Sequence, residues 1–357
     1  MQAGCLRSQS IYKIKILKKL KDILFGIQNT IPVYDYFWAY HIIKFVKKHS
    51  LDVIHVHDLY LAKAGWLAKK KTNVKMILDL HENYPAAVMN YKWTQHPLKK
   101  HLAKPQKWSK IEGKLLSYPD RIIVTNEYYK RFLINNYPPP ESTEASSGTT
   151  WGGQILVYEN VPDVKELLNY PIDKGIFPKN DKFILFYFGG ISKRRGILTA
   201  IKAHKKLLPS YPFLHLLLIG PIDKAEITLF EQTSNITHYP WKDISLLPSY
   251  LSISDVCLCP LEKNEQHDTC FANKILQYAL FSKPIIVSDC KPQEDFIKEH
   301  NCGLVFQSNN VDDLAVKIEY LINNPEKCTE LGLNGKNAVE SDFNTDSMKE
   351  RLYEAYE

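Results

Sequence analysis

A single lysine stands at the predicted start of a helix in the stretch Asp268–Asp289, which reads DTCFANKILQYALFSKPIIVSD. The unpaired N–H groups of a helix N-terminus and the helix dipole both favour negative charge at that end. Lys274 gains nothing from the dipole, so its position indicates an anion supplied by a ligand. A surface lysine on an ordinary strand–helix–strand unit is the alternative.

A second basic turn, GGISKRRG, lies earlier in the same half of the chain. It contains paired glycines and three consecutive cations: Gly189, Gly190, Lys193, Arg194 and Arg195. The glycines allow the backbone to approach a ligand closely, and the cations precede a predicted helix. The turn matches neither the dinucleotide fingerprint G-x-G-x-x-G nor a P-loop, and a solvated charged turn is the alternative. Together with Lys274, it predicts two cationic loop–helix junctions that face one diphosphate.

Histidines mark predicted strands in the first half of the chain. His81 directly follows the predicted strand Lys75–Leu80 and can donate or accept a hydrogen bond near neutral pH, although a structural role is the alternative. His55 and His57 alternate along another predicted strand and therefore share one face. Two such imidazoles can form part of a metal site, but no further Cys, His or Asp cluster has matching spacing. We therefore predict no metal.

Length and composition restrict the class of protein. A chain of 357 residues with 45% hydrophobic residues suits two domains. The net charge of +7 fits phosphorylated ligands or an anionic membrane surface, and no nucleic-acid motif is evident. Seven scattered cysteines without a C-x-x-C pair predict reduced thiols in a cytosolic protein. The absence of G-x-S-x-G gives hydrolase chemistry no support.

The apolar pattern positions these residues. Strand–helix–strand alternation with nearly continuous apolar strands predicts parallel sheets with helices on both faces, and a polar connector at 162–182 separates two such series. We predict an α/β fold of two Rossmann-like domains facing a cleft, at 1–165 and 166–340. A C-terminal helix at 341–357 is expected to pack back toward the N-terminal domain. Ligands of such sheets bind at the carboxyl ends of the strands, where the basic turns and His81 lie.

The segment Ile11–Ile27 has an apolar stripe at helical spacing, with lysines on its other faces. Such a helix can lie on anionic lipid at the inner face of a membrane, or it can be an ordinary surface helix. No run of 18 apolar residues occurs, and lysines interrupt the apolar residues near the N-terminus. We therefore predict neither a membrane span nor a secretion signal.

Four segments carry a family resemblance: Asp79–Pro85, Tyr158–Pro162, Phe188–Gly196 and Asp268–Asp289. In these motifs and their spacing, the chain resembles the retaining family 4 glycosyltransferases (glycosyl transferases group 1) of GT-B architecture. The resemblance implies transfer of a sugar from a nucleotide diphosphate sugar, with no cofactor and no metal. It also implies that the donor binds mostly to the C-terminal half and the acceptor to the N-terminal half.

The resemblance implies roles for individual residues. His81 would approach the donor sugar, while Arg195 and Lys274 would stabilise the leaving diphosphate as the other two catalytic residues. The implied donor-binding residues are Gly189, Gly190, Lys193, Arg194, Asp268, Thr269, Asn273 and Gln277.

This chain departs from the family pattern in three places. The two glutamates that the family separates by seven residues are Thr269 and Gln277 here. A ribose contact through Gln277 is expected to be weaker, whereas Thr269 can still bond a sugar hydroxyl and the adjacent Asp268 can supply the missing charge. The first basic position of the glycine loop is Gly190, which leaves Lys193 or Arg194 to substitute. Residues 1–50 show no equivalent of the family's first strand and glycine-rich loop, so the first sheet is expected to lack a strand.

The leading functional hypothesis is a cytosolic, membrane-associated glycosyltransferase with a lipid-linked or polysaccharide acceptor. Thr269 and Gln277 motivate an alternative, a non-catalytic GT-B relative that binds nucleotide sugars as a scaffold subunit. A GT-B nucleotide-sugar epimerase, which acts on the donor alone, is a third possibility.

Overall fold

The computed structural model describes residues 28–91, 94, 101, 103–137, 154–222, 233–343 and 345–357. The chain divides into two compact units, Met1–Tyr158 with Leu352–Glu357, and Glu159–Arg351. The predicted basic helix at 11–27 lies outside the described residues, and so do residues 1–27 as a whole, where the family's first strand would stand.

The first unit contains a sheet of four parallel strands in the order β1-β2-β3-β4. The strands are β1 (Val53–His57), β2 (Lys75–Leu80), β3 (Arg121–Val124) and β4 (Ile155–Val157). The helices are α1 (Val33–His49), α2 (Ala62–Thr72), α3 (Tyr84–Val88), α4 (Lys107–Leu116) and α5 (Glu127–Asn136). Within the described residues, β1 forms one edge of this sheet.

Burial explains why these segments form a parallel sheet. Met76, Ile77, Leu78 and Leu80 of β2 are all at most 2% exposed, so both faces of the strand are covered. Fully covered strands are typical of parallel sheets because helices pack on each face. The register pairs His57 of β1 with Asp79 of β2, which places the polar carboxyl ends of the two strands side by side.

The second unit contains six parallel strands in the order β10-β9-β8-β5-β6-β7. The strands are β5 (Phe183–Phe188), β6 (Leu214–Ile219), β7 (Ile236–Tyr239), β8 (Val256–Cys259), β9 (Ile285–Ser288) and β10 (Gly303–Phe306). The helices up to β9 are α6 (Val164–Asn169), α7 (Ile197–Leu207), α8 (Leu247–Ile253), α9 (Glu265–Asp268) and α10 (Lys274–Leu280). The later helices are α11 (Lys291–His300), α12 (Val311–Asn323), α13 (Pro325–Ser341) and α14 (Thr345–Glu354).

The central strand β5 separates two hydrophobic clusters in the second unit. Ile184, Phe186 and Phe188 belong to one cluster, whereas Leu185 and Tyr187 belong to the other. The alternation of side chains along a strand therefore covers both faces of the sheet with helices, as predicted for a doubly wound α/β fold.

The C-terminal segment Leu352–Glu357 belongs to the first unit. Ala355, which follows α14, lies in a hydrophobic cluster with Ile77 of β2 and Ile123 of β3. Tyr356 donates or accepts a hydrogen bond with Nδ1 of His55 at 2.7 Å. The end of the chain therefore helps to hold a histidine of β1.

Sequence patterns located most strands but missed several elements, among them α5, α6 and β7. The side chain of Asn126 caps α5 by accepting a hydrogen bond from Tyr129 N at 2.9 Å, a local signal that the sequence contained. The short helix α6 lies in the predicted connector, where polar residues obscured it. Strand β7 has only four residues, all of intermediate burial, at a sheet edge, and so it lacks the apolar pattern of the other strands.

Other predictions concern thiols and membrane spans. No disulfide joins any of the six described cysteines, and Cys257 and Cys259 are buried in β8. Across the described part of the chain, no helix combines the length and hydrophobicity required to span a bilayer.

Candidate functional site

The glycine loop after β5 lies directly against Lys274. Gly189 has φ of +142°, a conformation that L side chains rarely adopt, and a Cβ added there would lie 2.7 Å from Nζ of Lys274. Nζ also lies 3.8 Å from the centre of the Tyr187 ring, in a cation–π arrangement. The glycines of the turn GGISKRRG and the start of α10 therefore come together in the second unit.

In the rest of the loop, Gly190 borders open space, whereas the turn that ends at Gly196 is tightly packed. A Cβ on Gly190 would meet nothing within 4 Å, and its carbonyl accepts a hydrogen bond from the Tyr187 hydroxyl at 2.8 Å. Lys193–Arg195 form a short 3₁₀ helix that ends at Gly196, where φ is +72°. A Cβ on Gly196 would lie only 1.5 Å from the carbonyl oxygen of Pro260, so the turn is packed against the loop that follows β8.

Burial and neighbouring charge change the protonation of Lys274. Burial lowers the pKa of Lys274 to about 7, and the positive charge of Arg195 acts in the same direction, while Cys259 opposes both. Arg195 is therefore close enough to disfavour the charged form of Lys274. A bound anion would relieve both unfavourable effects.

The polar residues around α9 and α10 are held in different ways. Arg194 donates a hydrogen bond to Oε1 of Gln266 at 3.0 Å. Asp268 accepts one from the backbone N–H of Lys291 at 2.9 Å, so one oxygen of this carboxylate caps α11. The Thr269 hydroxyl donates back to the carbonyl of Glu265 at 2.9 Å. Asn273 is exposed and Gln277 is partly buried.

His267 is a residue near these cations that the sequence analysis missed. It is 3% exposed, and its Nδ1–H donates to the carbonyl of Glu262 at 2.6 Å. Burial lowers the pKa of His267 to about 4, with the charges of Arg195, Arg194 and Lys274 contributing in the same direction and the hydrogen bond to Glu262 opposing them. Its buried Nε2 has no hydrogen-bond partner among the described residues. No spacing in the sequence distinguished this histidine from a core residue.

In the first unit, three histidines surround the carboxylate of Asp79. Its Oδ2 lies 3.2 Å from Nε2 of His55, 3.4 Å from Nδ1 of His57 and 3.5 Å from Nε2 of His81. Burial alone would raise the pKa of Asp79, but hydrogen bonds from His55 and His81 outweigh it and hold the pKa below its usual range. The bond to Asp79 in turn raises the pKa of His81 against the effect of burial.

This cluster corrects one step of the sequence analysis. The spacing of His55 and His57 offered no third metal ligand, but the parallel register brings Asp79 between them and His81. His55, His57 and Asp79 form a group that could hold a metal ion, with one ligand atom from each lying within 4.8 Å of the others. The two imidazoles of β1 share one face, as predicted, and their rings stack with centres 4.6 Å apart.

Comparison with known proteins agrees with this fold and these motifs. Residues 171–338 match the family "Glycosyl transferases group 1", and residues 21–144 match "Glycosyltransferase Family 4". The two matches together cover most of the chain. The chain belongs to the group 1, family 4 glycosyltransferases of GT-B fold.

A curated relative and several solved structures are similar to this chain. The capsular polysaccharide biosynthesis glycosyltransferase CapM of Staphylococcus aureus is 26% identical over 183 residues, which are 50% of this chain and 46% of CapM. The chain thus matches about half the length of that relative. Sucrose-phosphate synthase from Thermosynechococcus elongatus superposes with a TM-score of 0.72 at 19% identity, over 94% of this chain and 78% of its own. Anabaena HepE, solved in complex with UDP, superposes with a TM-score of 0.69 at 13% identity, over 89% and 81%.

Proposed function

We propose that this glycosyltransferase is a retaining enzyme that moves a sugar from a nucleotide diphosphate sugar to a lipid-linked or polysaccharide acceptor. The observation that carries the proposal is the position of the Lys274 ammonium against Gly189, beside the cationic turn that contains Arg195. Two cations held close together at the carboxyl end of β5 suit the two phosphates of a nucleoside diphosphate.

The proposed chemistry requires stabilisation of a leaving diphosphate. As the bond from the anomeric carbon to the diphosphate oxygen breaks, negative charge develops on that oxygen. Lys274 and Arg195 are fixed before the reaction, and preorganised charges of this kind stabilise a transition state strongly in a site shielded from water. These cations would take the role that a divalent metal has in other transferases. The role expected for His81, contact with the donor sugar, stays a prediction.

Uridine nucleotides are the first donors to test. Anabaena HepE has been solved with UDP and with UDP-glucose, and Staphylococcus aureus TarM with UDP. Both share only the fold with this chain at 13–15% identity. The polysaccharide acceptor is suggested by CapM, whose name places it in capsule synthesis.

A panel of nucleoside diphosphates and their sugars tests the proposal. Calorimetry would measure binding of UDP, GDP and ADP, and NMR would follow the anomeric configuration of any product formed with cell-envelope lipid extracts. Binding of one nucleotide and a product with the donor's anomeric configuration is the expected result. If no nucleoside diphosphate binds, the proposed donor site is wrong.

A second candidate function is a nucleotide-sugar-binding subunit without turnover. The observation in its favour is that Thr269 and Gln277 replace two expected carboxylates, while Asp268 is engaged in capping α11. Under this alternative the nucleotide binds, but neither transfer nor donor hydrolysis occurs with any donor in the panel. Restoring the carboxylates with Thr269→Glu and Gln277→Glu would then increase turnover.

Protonation of Lys274 provides a further prediction. The pKa of Lys274 lies at about 7 in the folded chain, below the 10.5 of an unperturbed lysine. Between pH 7 and pH 10.5 the unfolded chain binds more protons than the folded chain. The free-energy cost of burying the Lys274 ammonium is therefore complete below pH 7, and it disappears as the pH rises through 10.5. A bound diphosphate stabilises the ammonium and raises its pKa again. At pH 8 nucleotide binding should therefore take up a proton.

Calorimetry at pH 8 in buffers of different ionisation enthalpy measures this proton uptake. The wild-type chain should take up a substantial fraction of one proton per nucleotide, and the Lys274→Ala variant should take up none. Equal uptake by the two chains would show that another group titrates. The Lys205→Ala variant, which removes an exposed lysine of α7, should behave like the wild type.

Helix α1 supports contact with a membrane surface. Tyr36, Tyr40 and Phe45 are 58–63% exposed, and the exposed Lys44 lies on the same helix. The only carboxylate of α1, Asp35, is buried. Exposed aromatic side chains among lysines suit the interface of an anionic bilayer, where rings enter the headgroup region and cations attract lipid charge. We propose that this face binds anionic lipid and brings the enzyme to its acceptor.

Vesicle sedimentation tests the proposed membrane face. The chain should sediment with vesicles that contain phosphatidylglycerol and remain in solution with pure phosphatidylcholine. The double variant Tyr40→Ser, Phe45→Ser should lose most of this binding. A matched double variant of exposed residues in the second unit, Val316→Ser, Tyr320→Ser, should retain it. Equal binding by both variants would contradict the assignment of the face.

A further inference from the structure

The cluster around Asp79 has the spacing of a metal site. His57 Nδ1, His81 Nε2 and Asp79 Oδ2 form a triangle with sides of 3.1, 3.4 and 3.5 Å. Zinc bonds of about 2.0–2.1 Å in a tetrahedral site place neighbouring ligand atoms roughly 3.4 Å apart. Nε2 of His55 lies 3.2 Å from the same carboxylate oxygen. One ion would therefore fit among these atoms with little movement of the backbone.

The outer nitrogen of His55 has a hydrogen-bond partner, and that of His81 faces a carboxylate. Nδ1 of His55 lies 2.7 Å from the hydroxyl of Tyr356. Nδ1 of His81 lies 3.6 Å from Oδ1 of Asp58, whose other oxygen accepts a hydrogen bond from Tyr60 at 2.9 Å. Metal-binding histidines almost always have such a partner, because it fixes the tautomer and directs the free nitrogen at the metal. Both rings therefore direct Nε2 toward Asp79.

Two side chains of the cluster are mostly buried, and the other two are exposed to solvent. The side chains of Asp79 and His55 are 15% and 20% exposed, whereas those of His57 and His81 are 54% and 49% exposed. An ion can therefore reach the cluster from solvent, while the ligands on β1 and β2 are positioned by the sheet register. Ligands on rigid strands are held more accurately than ligands on loops.

A hydrogen-bonded network without metal is the simpler explanation of the same distances. In that arrangement each imidazole donates to Asp79 or to its neighbour. Each ring nitrogen carries at most one hydrogen, so at most two of the three contacts among His57 Nδ1, His81 Nε2 and Asp79 Oδ2 can be hydrogen bonds. A divalent ion satisfies the converging lone pairs at once.

We propose that His57, His81 and Asp79, with His55 as the fourth ligand, bind a divalent transition metal ion of the Zn²⁺ type. Imidazole nitrogens with one carboxylate favour zinc over magnesium or calcium, which prefer oxygen ligands. All four residues lie in the first unit, whereas Lys274 and Arg195 lie in the second. Under the proposed function His81 contacts the donor sugar. In that case His81 cannot bind the metal ion and the sugar at the same time.

Zinc binding to the full chain, free of any histidine tag and stripped of metal, tests the site. Competition with a chromophoric chelator should show one high-affinity Zn²⁺ per chain. Cobalt should bind in its place and give the intense visible absorption of tetrahedral coordination. His57→Ala should weaken zinc binding at least about tenfold, because removing even an outer partner of a ligand costs that much.

Two further variants keep the test decisive. Asp79→Asn should also weaken binding, whereas His49→Ala, which removes an exposed imidazole of α1, should leave the affinity unchanged. His57 is largely exposed, so its variant should fold even if Asp79→Asn does not. Equal zinc affinity for the His57→Ala, His49→Ala and wild-type chains would overturn the site, as would cobalt spectra without tetrahedral bands. These measurements do not depend on transferase activity, so a failure of the proposed function would leave them valid.

Discussion

Lys274→Ala should weaken binding of the donor nucleotide by about 1.5–3 kcal/mol, the range for a hydrogen bond to a charged group. This corresponds to an affinity roughly 10–150-fold lower. The reason is that the Lys274 ammonium lies against the glycine loop beside Arg195, where a diphosphate would receive both charges. Removing one cation leaves part of the phosphate charge without a partner. Calorimetric titration with the nucleotide identified by the donor panel would measure the loss.

The control is Lys205→Ala, which removes the same charge from the exposed surface of α7. The affinity of this variant for the nucleotide should match that of the wild type, if the effect of Lys274→Ala arises from contact with the ligand and not from the change in net charge. The variant Lys274→Ala should be more stable than the wild type at pH 7 in the absence of ligand, since it removes a cation whose pKa burial lowers. An unchanged affinity of Lys274→Ala would disprove the site assignment even if the enzyme remained active.

Gly196→Ala should destabilise the second unit by about 3 kcal/mol or more, because two effects add. The residue has φ of +72°, which alanine adopts only with strain, and the added Cβ would lie 1.5 Å from the carbonyl oxygen of Pro260. The backbone of the cationic turn would have to move, and Arg195 with it. Urea unfolding followed by tryptophan fluorescence measures the loss, and failure to express as folded protein would represent its extreme form.

Gly190→Ala is the matched control in the same loop. Its Cβ would meet nothing within 4 Å, and the residue is not in the positive-φ region that favours glycine. Its unfolding midpoint should therefore stay close to that of the wild type. If the two variants were equally stable, close packing of Gly196 against Pro260 would not be the constraint that shapes this turn.

Local patterns in the sequence were sufficient to predict much of the fold. The apolar runs at Lys75–Leu80, Phe183–Phe188 and Leu214–Ile219, each between polar turns, predict strands, and they coincide with β2, β5 and β6. The pattern over Tyr34–Lys48 predicts a helix, and α1 covers that segment. The basic turn after β5 was visible because glycines and cations are adjacent in the sequence. Such features depend on neighbours along the chain, and the amino-acid order contains them directly.

The tertiary structure decided which of these residues meet. Asp79 lies 24 residues after His55, and only the parallel register of β1 and β2 makes it the centre of a histidine cluster. Likewise, the contact of Lys274 with Gly189 depends on the order of the strands in the second sheet, where β8 lies between β5 and β9. His267 acquired its low pKa from burial among cations that are distant in sequence. Register, strand order and burial follow from the packing of the whole sheet, so no local pattern of residues could have predicted them.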